Sequence, residues 1–306
     1  MSLLVVGSIA LDSVETPFGR RDDVLGGSAT YFSTSASFFG PVRLVGVAGD
    51  DFPEEHVLFL QGRGVDTAGL ERAAGRTFRW KGRYEFDLNN AQTLDTQLNV
   101  FAAFSPKIPE AYRDSEYVFL GNIDPDLQRA VLDQVRRPKF VACDTMNFWI
   151  ASKRSSLLET LGRVDMLFVN DAEARQLAGE ANVVVAARKI LAMGPKAVVV
   201  KRGEYGALFF AGDEVFAASA YPLEAVFDPT GAGDTFAGGF MGYVARHGVT
   251  PEVLRRAIVL GGVMASFVVE EFSLERMRRL TPAEIRARYA EFGRLVRFDE
   301  LEDGIF

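Results

Sequence analysis

The segment Asp228-Pro229-Thr230-Gly231-Ala232-Gly233-Asp234, followed at once by the apolar run Thr235 to Val244, constrains this chain more than any other stretch. Two glycines around a small residue allow a tight turn with exposed backbone N–H groups, and the apolar run reads as a buried helix that starts there. Free amides at the positive end of a helix dipole form a cradle for an anion. Asp234 stands at its rim, where a carboxylate can take a proton from an attacking hydroxyl. The segment points to phosphoryl transfer onto an alcohol, with Gly231, Ala232 and Gly233 supplying amides and Asp234 acting as base. A plain glycine-rich helix start is the competing reading. Against it stand Gly238, Gly239 and Gly242 in the helix interior, each costing about 1 kcal/mol relative to alanine and so predicting close packing against a backbone or ligand.

Other phosphate-binding loops fit poorly. No G-x-x-x-x-G-K-[ST] occurs, and only Gly7 follows the first apolar strand where a dinucleotide fold needs three glycines.

The stretch Asp228 to Phe240, DPTGAGDTFAGGF, resembles the C-terminal signature of the PfkB, or ribokinase-like, family of sugar and nucleoside kinases. Further matches follow in the family's order. Gly26-Gly27 before Ser28 to Gly40 resembles the N-terminal substrate motif, Asn170-Asp171-Ala172-Glu173 the N-x-x-E motif, and Lys201 to Gly206 the nucleotide-binding turn. The resemblance implies an α/β, ribokinase-like, doubly wound and mainly parallel sheet with helices on both faces and a small β lid. It also implies ATP and Mg²⁺ as cofactors, K⁺ in some members, and a sugar or nucleoside acceptor.

The residues support this architecture on their own terms. Short β-rich runs at Leu3 to Ile9, Arg43 to Ala48, Tyr117 to Leu120, Phe140 to Cys143, Met166 to Val169 and Ala197 to Val200 alternate with helix candidates. Among these helices are Ser28 to Phe39, Pro125 to Arg136 and Asn182 to Met193. Such alternation means a parallel sheet covered on both faces. Ala207 to Phe210 and Glu214 to Ala217 flank a Gly212-Asp213 turn, while Thr250-Pro251 and Thr281-Pro282, the latter with Glu284, mark helix starts. One domain over residues 1–306 is expected.

One region breaks the pattern. From Thr77 to Asp87, Phe78, Trp80, Tyr84 and Phe86 alternate with charged residues, and Leu94, Leu98 and Val100 continue an apolar face on a second strand. A two-stranded ribbon is marginal alone, so its greasy face must cover a cleft or a partner subunit. The resemblance makes it a lid, formed mainly by residues 76–103 with part of 10–25. A homodimer through the lid is expected.

The candidate site residues follow from these motifs. Asn170 and Glu173 meet the nucleotide phosphates, with Glu173 holding Mg²⁺ through water; an ordinary capping box is the alternative. Gly203 and Gly206 let the backbone approach the nucleotide and Lys201 reaches a phosphate; an exposed lysine and a hairpin turn are the alternative. Asp12, Gly26 and Gly27 take the acceptor, with Ser28 as helix N-cap. Tyr31 stands where many family members carry asparagine, and its aromatic ring favours a ring-bearing acceptor. Asp144 and Asn147 resemble a D-x-N-x-R element with Trp149 in place of arginine; only Asn147 is carried over. Asp228 and Thr230 hold a monovalent cation, or Asp228 merely supports the loop.

The net charge of -7 argues against nucleic acid or an anionic membrane as partner, and not against ATP. With one cysteine and two histidines, any metal must be held by oxygen. Residues 1–10 lack a basic start and the longest apolar run, Ala257 to Val269, is too short to span a bilayer, so a cytoplasmic protein is expected. The rival readings are a non-catalytic nucleotide sensor on the same fold and a phosphomethylpyrimidine-type kinase. The acidic tail Asp299 to Asp303 reads as solvated surface.

Overall fold

A computed structural model describes residues 2–89 and 91–299 of the chain. The acidic tail beyond Asp299 lies outside the described residues. In chain order the strands are β1 (Leu3–Val6), β2 (Ala10–Thr16), β3 (Gly19–Gly26), β4 (Val42–Gly49), β5 (Val65–Ala73), β6 (Phe78–Tyr84) and β7 (Ala91–Gln97). They continue as β8 (Tyr117–Leu120), β9 (Phe140–Asp144), β10 (Met166–Asn170), β11 (Ala197–Lys201), β12 (Ala207–Ala211) and β13 (Glu214–Ala218).

The main sheet runs β13-β12-β11-β10-β9-β8-β1-β4-β5. From β11 to β5 every pairing is parallel, and β12 and β13 finish one edge antiparallel. Its central strands are continuous apolar runs such as LLVV and YVFL, buried along their whole length. Both faces of such a sheet must be covered, and two hydrophobic clusters do this, one on each side. The six expected core strands are all present.

Helix boundaries follow local chemistry. Asn182 caps Val183–Leu191, Thr250 caps Pro251–Val268, and Thr281 with Glu284 forms a full capping box on Pro282–Leu295. Ser28 is the one N-cap placed wrongly from sequence. Gly27 at φ 94 occupies the cap, and the Ser28 hydroxyl instead pairs with that of Ser8 at 3.1 Å. The helix Ser28–Ala36 is buried throughout and crosses the helix Ala232–His247 at the glycines. A β-carbon on Gly238 would stand 2.3 Å from the Phe32 carbonyl oxygen, and one on Gly242 2.9 Å from that of Ala36. These interior glycines therefore serve close helix contact.

A second sheet, β3-β2-β6-β7, forms the lid. β2 pairs with β6 in parallel, placing Asp12 beside Trp80 and Val14 beside Gly82 on one face. The second ribbon strand is Ala91–Gln97 rather than Leu94 to Val100. A register shift opposite Lys81 and Gly82 interrupts its alternation at Leu94, which is 39% exposed, while Val100 falls in a short 3₁₀ segment, Asn99–Ala103. Phe86, at 95%, is not covered at all.

Candidate active site

In a doubly wound sheet, ligands gather at the carboxyl ends of the strands, where strand order reverses. That reversal lies at β1, between β8 and β4. Adjacent strands β9, β10 and β11 end at Asp144, Asn170 and Lys201. The ends of three strands thus build one half of the site.

Lys201 is not an exposed lysine. Its ammonium makes a 2.8 Å ion pair with Asp144, both side chains being largely buried. Burial works against its charge, but Asp144 and Glu173 outweigh it and hold the ammonium above its ordinary value. Asn170 and Glu173 form the reciprocal capping box: Asn170 Oδ1 accepts from the Glu173 N–H at 2.7 Å and Glu173 Oε2 from the Asn170 N–H at 2.8 Å. The Glu173 carboxyl is pushed up to about 7 by burial and then by Asp144. The capping box and a place in the cluster are therefore not exclusive.

The segment 228–234 closes the other side. Gly231, at φ 72, is the N-cap of the helix Ala232–His247, a conformation that costs other residues dearly. Asp234 sits in the first turn, where the helix dipole favours a carboxylate. Burial, then Asp144, push it up to about 7, with Lys201 pulling the other way. The Ala232 N–H is spent on the Pro229 carbonyl at 3.2 Å. Asp228 is buried, and its two oxygens accept the N–H groups of Thr230 and Ser273, both at 2.9 Å. These bonds describe loop support.

The residues expected to take an acceptor lie on the other side of the cluster. Asp12 is buried against Gly26, where a β-carbon would stand 2.0 Å from its carboxylate, and Gly27 keeps a positive φ. Burial, with help from Asp228 and Asp234, pushes Asp12 up to about 7 against a hydrogen bond from the Gly27 backbone. From the lid, the Tyr84 hydroxyl reaches Thr230 Oγ1 at 3.3 Å. A cavity of about 470 Å³ lies elsewhere, at the lid tip among Glu85, Phe86, Asp87, Ala91 and Gln92.

One expectation needs correction. Tyr31 is fully buried and its ring lies beneath Gly231, 2.4 Å from where a β-carbon would be, so it props the loop and offers no face to a ligand. Asn147 is exposed, and its Oδ1 accepts the Phe148 N–H at the start of a short helix. Asp144, set aside in the sequence because arginine is missing from its element, and Tyr84, read there only as part of an apolar face, both belong to this cluster. Gly203 and Gly206 lie at the turn after β11 with φ 53 and 85.

A family model for pfkB family carbohydrate kinases matches residues 20–277. The chain belongs to the PfkB family. It is a nucleoside or carbohydrate kinase, a phosphotransferase with an alcohol acceptor. The cytidine kinase of Thermococcus kodakarensis is 33% identical over 260 residues, covering 83% of this chain and 92% of its own. The fold matches the nucleoside kinase of Burkholderia thailandensis in complex with inosine at a TM-score of 0.79 and 20% identity, covering 95% and 98% of the two chains. It also matches an E. coli candidate Ribokinase II in complex with ATP and Mg²⁺, at 0.76 and 19%, covering 95% and 99%. This PfkB chain has the ribokinase-like fold. Among its described residues no helix is long and apolar enough to cross a membrane.

Proposed function

We propose that this protein is an ATP-dependent nucleoside kinase that transfers the γ-phosphoryl group to a hydroxymethyl group of the acceptor. One observation carries the reading. Asp234 opens its helix at the end of a loop that touches both halves of the site: Gly233 packs against Lys201 Nζ, and Thr230 meets the Tyr84 hydroxyl at 3.3 Å. A carboxylate in that position is where an acceptor's proton should go. The likeness to a cytidine kinase over most of both chains favours a nucleoside over a simple sugar.

In this account Asp12 and the Gly26-Gly27 backbone hold acceptor hydroxyls, and Asp234 accepts the proton of the attacking one. Gly231 and Gly233 amides and the helix dipole take up the charge on the transferring group, and the bond to the ADP oxygen breaks as the new one forms. Lys201, Gly203 and Gly206 hold the nucleotide. Hard oxygen donors fit Mg²⁺, an ion held mainly through phosphates and water, and Glu173 would be its protein contact. Such an ion would neutralise phosphate charge. A monovalent cation beside Asp228 and Thr230 belongs to the same proposal, and replacing K⁺ by a large organic cation should depress turnover if it is present.

The proposal includes a homodimer. All of β7, Leu94 included, is exposed at the edge of the lid sheet, and Phe86 and Leu98 flank it in solvent. An open edge with apolar neighbours calls for a cover, and a second lid provides one.

The test is ATP consumption across a panel of nucleosides and sugars. Cytidine or another nucleoside should stimulate ADP release, whereas stimulation by simple sugars alone would overturn the acceptor class.

A further inference from the structure

We propose that the lid also clamps the nucleotide, through Asn89 at its tip, so that nucleotide binding by itself orders the lid. The inference rests on the kinase reading and extends it to a residue outside the acceptor site. Tyr84, the last residue of β6, touches Thr230, and five residues later the chain reaches the nucleotide turn. There a β-carbon on Gly203 would stand 2.4 Å from Asn89 Oδ1. The bare Cα of Gly203 is what seats the Asn89 amide.

The tip is shaped for this approach. Leu88 takes φ 55, its N–H donates to the Glu85 carbonyl at 3.1 Å, and the Asn89 N–H reaches Asp87 Oδ1 at 3.4 Å. Among the described residues the Asn89 side chain makes no hydrogen bond of its own, so its donors and acceptor are free for a ligand lying on the turn. A neutral amide also suits the place: Glu85 and Asp87, the nearby carboxylates, would repel phosphate where Asn89 does not. One lid therefore contacts the acceptor half through Asp12, the transfer loop through Tyr84 and the nucleotide turn through Asn89. A nucleotide that fixes the tip lowers the ordering cost of binding the acceptor, and the coupling is reciprocal.

Hydrogen exchange of the amides of residues 85–89, with and without MgADP, tests this. Saturating MgADP should slow their exchange at least about tenfold in the wild type, as for a segment moved from local opening to a closed state. In Asn89→Ala the slowing should vanish and MgADP should bind about 3- to 10-fold more weakly, the worth of one hydrogen bond. MgADP binding that leaves the tip unprotected, or equal protection in Asn89→Ala, overturns the clamp. No binding of MgADP to the wild type would instead overturn the kinase reading beneath it.

Discussion

Lys201 lies directly against Gly233: a β-carbon on that glycine would stand 2.9 Å from the lysine Nζ. The same nitrogen holds Asp144 at 2.8 Å. The cation at the end of β11 is thus pressed against the proposed cradle, where it would meet a phosphoryl group in transit. Lys201→Met should lower kcat by about 10² to 10³, the usual loss for one electrostatic contact to a transition state. It also strands a buried Asp144, at about 3–5 kcal/mol of stability. Adding Asp144→Asn should restore the melting temperature without restoring the rate. Recovery of both would make the pair purely structural.

The two cradle glycines should respond differently to alanine. At Gly233 the new methyl meets only the flexible end of Lys201, so Gly233→Ala should fold normally and lose rate. At Gly231 it meets the Tyr31 ring at 2.4 Å from a backbone at φ 72, and left-handed geometry alone costs about 1–2 kcal/mol. Thermal melts should rank Gly231→Ala well below Gly233→Ala, and equal melts would contradict the packing described.

The pH dependence follows from Asp234, whose carboxyl is pushed up to about 7. The protonated form cannot accept a proton, so kcat/KM for the acceptor should fall as pH drops below about 7, and Lys201→Met should move that limb to higher pH. Stability runs the other way. Asp12, Glu173 and Asp234 bind protons more tightly folded, at about 7, than at their ordinary values of 3.8 and 4.5, so the ligand-free protein should melt at lower temperature as pH rises through that window. A melting temperature that rises from pH 5 to 7 would contradict the burial of these groups.

The fold was legible where burial leaves a local trace. Runs such as Val198 to Val200 are apolar because both faces of the sheet are covered, and capping residues announce their helices. β5 and β3 were not read: β3 carries Arg20, Arg21, Asp22 and Asp23 in the open, and no local signal pairs β2 with β6 across more than 60 residues of chain. The site divides in the same way. The segment 228–234 reads from its own glycines, whereas Asp144 gains meaning only from Lys201, 57 residues away. Tyr84 was read as part of a greasy face because alternation reports orientation and not the hydroxyl at its end.

Sedimentation tests the dimer. Phe86 and Leu98, 95% and 46% exposed, should be covered between two lids, so replacing both by serine should shift the species towards monomer at micromolar concentration. A wild-type monomer would reject the proposal outright.

The most direct measurement is kcat of Asp234→Asn with MgATP and the nucleoside identified by the acceptor screen. A fall of about 10² to 10⁴ is expected with MgATP affinity little changed, because only proton transfer is lost. A folded Asp234→Asn protein with near-normal kcat would contradict it.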